Sequence, residues 1–371
     1  MAYSFRRHIT PCLLLCVMFI SSCINEVPFD AEIGAPKLVL NALLQHDSLL
    51  TTTVSRTAHF LDTGEPQRLS DATVMATVNG VEQTLVYDDS TRNYCSAYTL
   101  CAGDRVTLTA THGIGTATAM EQVVEATPMT IVQTMMSPFV NPGDPVSLAM
   151  LNDVDSAMTV SLSIDDPAGE TNYYRLTIDY YGTYMAEYPG WFYGDDPSDE
   201  DSSVMREERF YPHYLLTESS SRLVSDSESA SQLLGGLLYL TSDNSVIFSD
   251  ECLRSTPVVD FLMLHELPRT SPDMYNPESA WGYDEGMGDV FVFPSDTVSR
   301  VTYHYHFKLE TLSEDYYHYL STVSTYEGIG NLVSEPVRIH SNVSTGVGIV
   351  GSYGYVTIED SIAKKIADNN L

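Results

Sequence analysis

Short stretches in which apolar and polar residues alternate, separated by turn signals, recur along most of this chain. Residues 72–78 alternate in this way and end at Asn79-Gly80, a pair that favours the tight turn of a β-hairpin. Residues 105–111 alternate again, so every second side chain there faces the same side. The chain has 371 residues, of which 43% are hydrophobic and 18% charged, which is enough apolar material for more than one packed core. The sequence therefore predicts a mainly β protein.

The spacing of the strands and turns predicts two domains. A series of short strands at regular spacing indicates an immunoglobulin-like β-sandwich over residues 36–127. A larger β-rich domain is expected over residues 128–371, with an acidic insertion near residues 194–231 and one or two short helices. Residues 313–320 favour a helix because a serine and two acidic residues open the stretch, and residues 361–370 are a weaker helical candidate.

The first residues form a targeting segment rather than part of the fold. Arg6 and Arg7 precede an apolar run over residues 11–20, which is too short to span a bilayer and is typical of a secretory signal. The run ends in Ile-Ser-Ser and Cys23, the pattern of a bacterial lipobox. We predict a lipoprotein signal peptide over residues 1–22, acylation of Cys23 with fatty acids such as palmitate, and a tether over residues 23–35. The alternative is an ordinary signal peptide with an incidental cysteine.

The charge balance excludes one large class of partners. Lys and Arg number 18 against 50 Asp and Glu, which gives a formal net charge of −32. Nucleic-acid binding depends on clustered Lys and Arg that displace counterions from phosphates, so a nucleic-acid partner is excluded. An anionic lipid surface repels the chain for the same reason, and membrane contact is expected only through the lipid anchor.

Three cysteines remain after the signal peptide is removed and Cys23 is acylated. They are Cys95, Cys101 and Cys252, and an odd number leaves at least one thiol unpaired. A bridge between Cys95 and Cys101 is possible, although we expect both to be free. Without histidines at metal-ligand spacing, the three cysteines predict no zinc site.

No catalytic motif for a nucleophilic serine, a phosphate-binding loop, a dinucleotide site or a zinc protease is present. The sequence therefore predicts a protein that is not an enzyme, with no catalytic, cofactor-binding or metal-binding residues. Two weaker interpretations compete with this one. Residues 195–201 are acidic and could bind Ca²⁺ or form a solvated loop. His304 and His306 share one face of a strand, where they could begin a metal site or lie on the polar outward face.

Three consecutive aromatic residues are the best candidates for ligand contact. Trp191, Phe192 and Tyr193 follow a Pro-Gly pair and precede the acidic insertion, a position that favours exposure. Exposed tyrosine and tryptophan provide rigid contact area with a polar tip, which suits sugar stacking or protein docking. The competing interpretation places the aromatic residues of this chain in the sandwich core or at a sheet edge.

A series of motifs resembles a known family in its order along the chain. After the lipobox come residues 37–44, 69–74 and 98–104, and later residues 313–317 and 341–353. In this order they resemble the Bacteroidota lipoproteins called domain of unknown function 4249. The closing glycine-containing segment is the most specific part. Its glycines could shape a binding loop, or the segment could be a bulged edge that closes the second domain.

The resemblance implies an outer-membrane lipoprotein that is often encoded beside a TonB-dependent receptor, and it implies no catalytic residues. We expect a lipid-anchored accessory protein, on either the periplasmic or the cell-surface side, that helps a TonB-dependent transporter capture or take up an unidentified nutrient. The alternative is a surface adhesin or structural envelope lipoprotein. A metal-dependent hydrolase is a third hypothesis, which would require His304, His306 and distant carboxylates to converge.

Overall fold

The computed structural model describes residues 35–58, 66–139, 154, 156–189, 203–225, 233–234, 237–238, 245–254, 256–266, 300–327 and 338–365. Most of these residues form strands, so the prediction of a mainly β protein is confirmed. The strands are β1 (Leu38–Leu44), β2 (Leu49–Arg56), β3 (Thr73–Val78), β4 (Val81–Asp88), β5 (Asn93–Thr99), β6 (Arg105–His112), β7 (Gly115–Gln122), β8 (Met129–Pro138), β9 (Ser156–Ile164), β10 (Tyr173–Pro189), β11 (Ser203–Phe210), β12 (Tyr214–Leu216), β13 (Leu233–Leu234), β14 (Leu237–Leu238), β15 (Ser245–Ser249), β16 (Val258–Leu264), β17 (Arg300–Leu312) and β18 (Val350–Lys365). The α-helices are α1 (Glu218–Ser225) and α2 (Glu314–Glu327).

One long sheet runs through both halves of the chain, where the first half comprises β1 to β7 and the second half comprises β8 to β18. Its strand order is β11-β10-β17-β18-β1-β2-β5-β4-β3-β6-β7, and β15 pairs with β10. The two halves meet where β18 pairs in parallel with β1, with Ala42 opposite Val350. A second sheet has the order β12-β16-β9-β8, and β13 pairs with β14. The assignment of the first half to the immunoglobulin-like class stays a prediction.

The predicted alternation builds the core of the first half. Val106, Leu108 and Ala110 on β6 are fully buried and face the same core as the inward residues of β1 to β5. The hairpin between β3 and β4 turns at Asn79 and Gly80, whose φ angles are 51° and 85°. The type of turn that this dipeptide favours is therefore the one that the chain adopts.

The second half is a sandwich whose core lies between the long sheet and the four-stranded sheet. β17 pairs with β10 and β18 along most of its length, and its alternate residues Tyr303, Tyr305 and Phe307 are buried. Phe261 on β16 packs against Phe307 with ring centroids 5.5 Å apart. Part of the predicted acidic insertion forms ordered elements here, namely β11, β12 and α1.

The predicted C-terminal helix is wrong for residues 361–365, which continue strand β18. Ser361 lies opposite His304 and Lys365 lies opposite Arg300 on β17. Ile362 packs against the core of the second half. A long partner strand satisfies the backbone groups of this segment and partly buries Ile362 and Lys364, which outweighs a weak local helical preference.

The closing glycine-containing segment belongs to the first half. Val347 donates its backbone N–H to Leu38 O, and Leu40 donates to Val347 O, both at 2.9 Å. Val343 and Val350 join the core built by β1 to β7. The segment therefore lies along β1 and does not form an edge of the second half.

Cys95, Cys101 and Cys252 are free thiols, so no bridge links Cys95 to Cys101. The expectation of free thiols is thus confirmed. None of the helices in the described ranges is both long and apolar enough to cross a membrane.

Candidate functional site

A cleft of about 390 Å³ lies between the outer face of the first strands and helix α2. Its volume falls within the range of small-molecule pockets, which is about 300–1,000 Å³. The cleft is lined by Asn41, Ala42, Leu43, Thr51, Thr52, Thr53, Asn93, Tyr316, Tyr319 and Ile349. The lining residues come from both ends of the chain, so the site exists only when the two halves are packed together.

Strand alternation supplies the floor of the cleft. Because neighbouring residues of a strand face opposite sides, burial of Leu40 and Val54 in the core leaves Asn41 and Thr53 on the outer face. Asn41 lies opposite Thr53 across β1 and β2. Thr51 is the next outward residue of β2. The outer face of the two strands therefore carries the amide of Asn41 beside the hydroxyls of Thr51 and Thr53.

Helix α2 supplies an aromatic wall. Tyr316 and Tyr319 are three residues apart and therefore lie on the same face of the helix. Their rings are stacked, with centroids 6.4 Å apart and planes 16° apart. Gly351 allows the close approach of the helix, because a Cβ atom there would lie 2.7 Å from the Cβ atom of Tyr316. Tyr316 is consequently buried against β18, whereas Tyr319 stays partly exposed.

A hydrogen-bonded clamp holds α2 against the start of β18. Asn342 donates from Nδ2 to Asp315 Oδ2 at 3.0 Å and to Val350 O at 2.8 Å. Its Oδ1 atom accepts the Val350 N–H at 3.0 Å. The His340 ring nitrogen Nε2 lies 2.8 Å from Asp315 Oδ1. The aromatic wall is thus fixed to the strand that joins the two halves.

Several polar groups of the cleft make no hydrogen bond to other described residues of the chain. Asn41 Oδ1 accepts the Ile349 N–H at 2.9 Å, and Asn93 Oδ1 accepts from Arg68 Nη1 at 3.2 Å. Within the described part of the chain, no hydrogen bond involves the amide nitrogens of Asn41 and Asn93 or the hydroxyls of Thr51 and Tyr319. These groups are available to a ligand.

None of the described residues that line the cleft carries a charge, although the chain as a whole has a formal net charge of −32. The guanidinium of Arg68 lies outside the lining and is bonded to Asn93 Oδ1. A charged ligand would lose hydration in the cleft without gaining an ionic partner from its lining. The site therefore suits a ligand recognised by neutral hydrogen bonds and ring contacts.

A titratable carboxylate, that of Glu121 on β7, lies beside the residue that precedes α2. Ser313 donates from Oγ to Glu121 Oε2 at 2.6 Å. Burial raises the pKa of Glu121 to about 7, and the nearby carboxylates of Asp315 and Glu314 raise it as well, although hydrogen bonds from Ser313 and the Gln122 N–H oppose them. Ionisation of this carboxyl group near neutral pH therefore lowers the stability of the folded chain.

We expect Glu121→Gln to stabilise the chain above pH 7. The pKa of Glu121 is higher in the folded chain than its ordinary value of 4.5, so ionisation favours unfolding. In the wild type this penalty grows from about pH 4.5 to pH 7 and then stays constant. Urea titrations should give the variant an advantage of about 1–3 kcal/mol at pH 8 and little advantage at pH 4.5. The matched control is Glu82→Gln on the exposed face of β4, and equal pH dependence in wild type and Glu121→Gln would contradict this expectation.

Most residues singled out from the sequence as sites lie outside the described residues. These are the acylated Cys23, the aromatic Trp191, Phe192 and Tyr193, and the acidic residues 195–201. Lipidation, ligand contact and calcium binding at these positions stay predictions.

His304 and His306 lie on the outer face of β17 and are partly buried. The His304 ring stacks on Tyr181 with centroids 4.7 Å apart, and its Nε2 atom lies 3.1 Å from Thr183 Oγ1. His306 lies opposite Asp179. Across the described ranges, no group of three or more His, Cys, Asp and Glu side chains could hold a metal ion.

Sequence reasoning missed the cleft. Its floor lies in β1 and β2 and its wall in α2, and these elements are separated by most of the chain. Two local signals were present: polar residues at outward positions of a strand, such as Asn41, and the three-residue spacing of Tyr316 and Tyr319. Neither signal indicates that the two surfaces meet.

Comparison with known families gives one match. A family model described as a domain of unknown function (DUF4249) matches residues 24–359, which include every residue that lines the cleft. No curated relative matches the chain.

Proposed function

Because this chain belongs to the DUF4249 family, a domain of unknown function, we propose a role for it from its own residues. The protein is a lipid-anchored, non-enzymatic accessory protein of the outer membrane that captures a ligand for a TonB-dependent transporter. The observation that carries the proposal is the neutral cleft of about 390 Å³, with hydrogen-bonding groups that the fold leaves unused. Such a site supports binding of a small ligand in a concave surface.

The lipobox supports the membrane part of the proposal. Cys23 follows two serines and a short apolar run, as expected for an acylated lipoprotein. Each buried methylene of an acyl chain contributes about 0.8 kcal/mol to membrane binding, so several chains on one cysteine give durable attachment. The acidic chain itself supplies no competing attraction to an anionic surface.

Cys23→Ser should release the protein from the membrane. Without the acylated thiol, we expect the variant to move from the membrane fraction to the soluble fraction after cell lysis and ultracentrifugation. The matched control is Cys101→Ser, which removes an exposed free thiol and should leave the protein in the membrane fraction. Intact-mass measurement of the wild type should show added acyl chains, and a wild-type protein without lipid would contradict the proposal.

The transporter part is tested by co-purification from native membranes. The tagged full chain should recover a TonB-dependent transporter from gently solubilised outer membranes, identified by mass spectrometry. A tagged, unrelated lipoprotein from the same membranes serves as the control and should not recover it. Recovery of adhesion or assembly proteins instead of a transporter would favour the adhesin alternative, and turnover of a ligand by the purified chain would contradict the non-enzymatic role.

A further inference from the structure

We propose that the cleft between β1, β2 and α2 binds an uncharged, hydroxyl-rich ligand, namely a neutral oligosaccharide. This inference rests on the proposed function, since it names the chemical class of the ligand that the protein captures. Three features of the cleft carry it: the absence of charge among its lining residues, the kind of polar groups on its floor, and the aromatic wall.

The charge of the lining residues selects a neutral ligand. A carboxylate or ammonium group taken from water into the cleft would need an ionic partner to offset its desolvation. The lining provides only Asn, Thr, Tyr and apolar side chains. Hydroxyl groups exchange hydrogen bonds with water for hydrogen bonds with such side chains at little cost, so a polyhydroxylated ligand suits the lining.

The unused polar groups of the floor complement hydroxyl groups. The amide nitrogens of Asn41 and Asn93 are donors, and the hydroxyl of Thr51 both donates and accepts. Asn41 lies opposite Thr53, so Thr51 on the adjacent strand is its diagonal neighbour, about 7–8 Å away. Separate hydroxyls of one ligand can therefore be contacted from two strands at once, and each hydroxyl can act as donor or acceptor as required.

The wall of the cleft complements the other face of a sugar ring. Sugars carry apolar C–H faces, and tyrosine rings offer an apolar surface together with a hydroxyl. Tyr319 is partly exposed beside the buried Tyr316, and Leu43 is 47% exposed. The combination of ring and apolar contact on one side with amide and hydroxyl contact on the other fits an amphipathic, neutral ring.

An extended peptide fits the same cleft less well. Peptides that add to a sheet pair with a strand edge that has free N–H and C=O groups. β1 is paired with both β2 and β18, and β2 is paired with both β1 and β5. The strands that form the floor therefore present side chains and not a free backbone edge.

Calorimetric titration of the purified full chain tests the ligand class. The probes are maltotriose, cellotriose and laminaritriose as neutral trisaccharides, trigalacturonate as the charged counterpart, and a capped neutral tripeptide. We expect at least one neutral trisaccharide to bind, and trigalacturonate and the tripeptide to bind at least about tenfold more weakly, because the lining offers no ionic partner.

Two variants tie the binding to the cleft. Thr51→Val removes one hydroxyl and keeps the shape of the side chain, so the affinity should fall about threefold to tenfold. Tyr319→Leu removes the partly exposed ring and should lower the affinity by about tenfold. The control is Thr84→Val, the same change at an exposed position of β4 outside the cleft, which should leave the affinity unchanged. Circular dichroism and thermal unfolding establish that each variant is folded.

A thiol beside the cleft gives an independent readout. Cys95 lies opposite Thr51 across β2 and β5 and is partly buried, whereas Cys101 is exposed. A saturating neutral trisaccharide should slow maleimide labelling of Cys95 and leave the labelling rate of Cys101 unchanged, as followed by peptide mass spectrometry.

The inference is overturned if no neutral trisaccharide of the panel binds, if trigalacturonate or the tripeptide is preferred, or if Thr51→Val and Tyr319→Leu bind like the wild type. Failure of the proposed function is read separately, from fractionation and co-purification without added sugar. A membrane-bound chain that recovers a transporter yet binds no trisaccharide would refute only the ligand class.

Discussion

Replacing Gly348 by alanine should lower the free energy of unfolding by at least about 3 kcal/mol, which is among the largest effects of a single substitution. Gly348 has a φ angle of 122°, a backbone conformation that residues with a side chain rarely adopt. A Cβ atom at this position would lie 2.2 Å from Leu40 O and 2.7 Å from Asn41 Oδ1. Both neighbours are held in place, because Leu40 is hydrogen-bonded to Val347 and Asn41 to Ile349.

Two other glycines separate the causes of this loss. Gly80→Ala imposes a positive φ of 85° in open space, so it should cost only about 1 kcal/mol. Gly113→Ala changes a glycine without a positive φ and with nothing within 4 Å, so it should be nearly neutral. Urea titrations give the free energy of unfolding of all three variants. The loss for Gly348→Ala minus the loss for Gly80→Ala measures the part caused by the steric clash. A Gly348→Ala chain as stable as Gly80→Ala would contradict the packing of this segment against β1.

The position of Gly348 also links stability to the candidate site. Its close neighbour Asn41 lies on the floor of the cleft, and the adjacent Ile349 lines it. If Gly348→Ala leaves a folded chain, the cleft should be distorted and its affinity for any ligand reduced. The variant therefore serves as a stability probe and not as a binding probe.

Replacing Glu310 by leucine should cost about 3 kcal/mol, the lower end of the usual range for removing one partner from a buried ion pair, because the two cations that remain are partly exposed. The side chain of Glu310 is only 1% exposed. Its carboxylate accepts from Arg175 Nε and, at 2.8 Å, from Lys308 Nζ. Leucine would leave both cations without this carboxylate, although the side chains of Arg175 and Lys308 keep 25% and 32% of their surface in contact with water. The matched control is Glu82→Leu on the exposed face of β4, which should change stability by less than about 0.5 kcal/mol.

The double variant Arg175→Met with Glu310→Leu should recover part of the loss. Buried ion pairs are often replaceable by apolar residues of similar size when both partners are exchanged. The double variant should therefore be more stable than the sum of the two single changes implies, as measured by a double-mutant cycle in urea. Strict additivity of the two single changes would show that the pair is not energetically coupled.

The loss of stability caused by Glu310→Leu should be smaller at acid pH. Burial would by itself raise the pKa of Glu310, but hydrogen bonds from Arg175 and Lys308 outweigh burial and lower the pKa below the ordinary value of 4.5. A lowered pKa in the folded chain stabilises the fold above pH 4.5, and this stabilisation is lost as the pH falls towards the folded value. The difference in free energy of unfolding between the wild type and Glu310→Leu should thus be constant from pH 5 to 7 and become smaller below pH 4.5.

The local parts of the fold could be predicted because they depend on neighbouring residues. The Asn79-Gly80 turn follows from the ease with which both residues adopt a positive φ. The buried faces of β6 and β17 follow from strict alternation. The start of helix α2 follows from the acidic residues of its first turn, and the observed helix continues to Glu327. The predicted serine cap is not formed, because the Ser313 hydroxyl bonds Glu121 and the Ser352 N–H instead.

The candidate site could not be predicted, because it depends on contacts between distant parts of the chain. The Ile349 N–H reaches Asn41 Oδ1 across 308 positions, and β18 pairs with β1 in parallel. Alternation shows that Asn41 and Thr51 face outward, but it does not indicate which element covers that face. The cleft arises only when α2 is clamped above them by Asn342.

The sequence by itself therefore determined the strands, their inward faces and the tight turns, since each depends on a few adjacent residues. Tertiary structure alone decided that residues 361–365 form a strand, because pairing with β17 outweighs a weak local preference. It also decided the location of the cleft, because the energy that brings β1, β2 and α2 together comes from burial shared by both halves of the chain and not from any one segment.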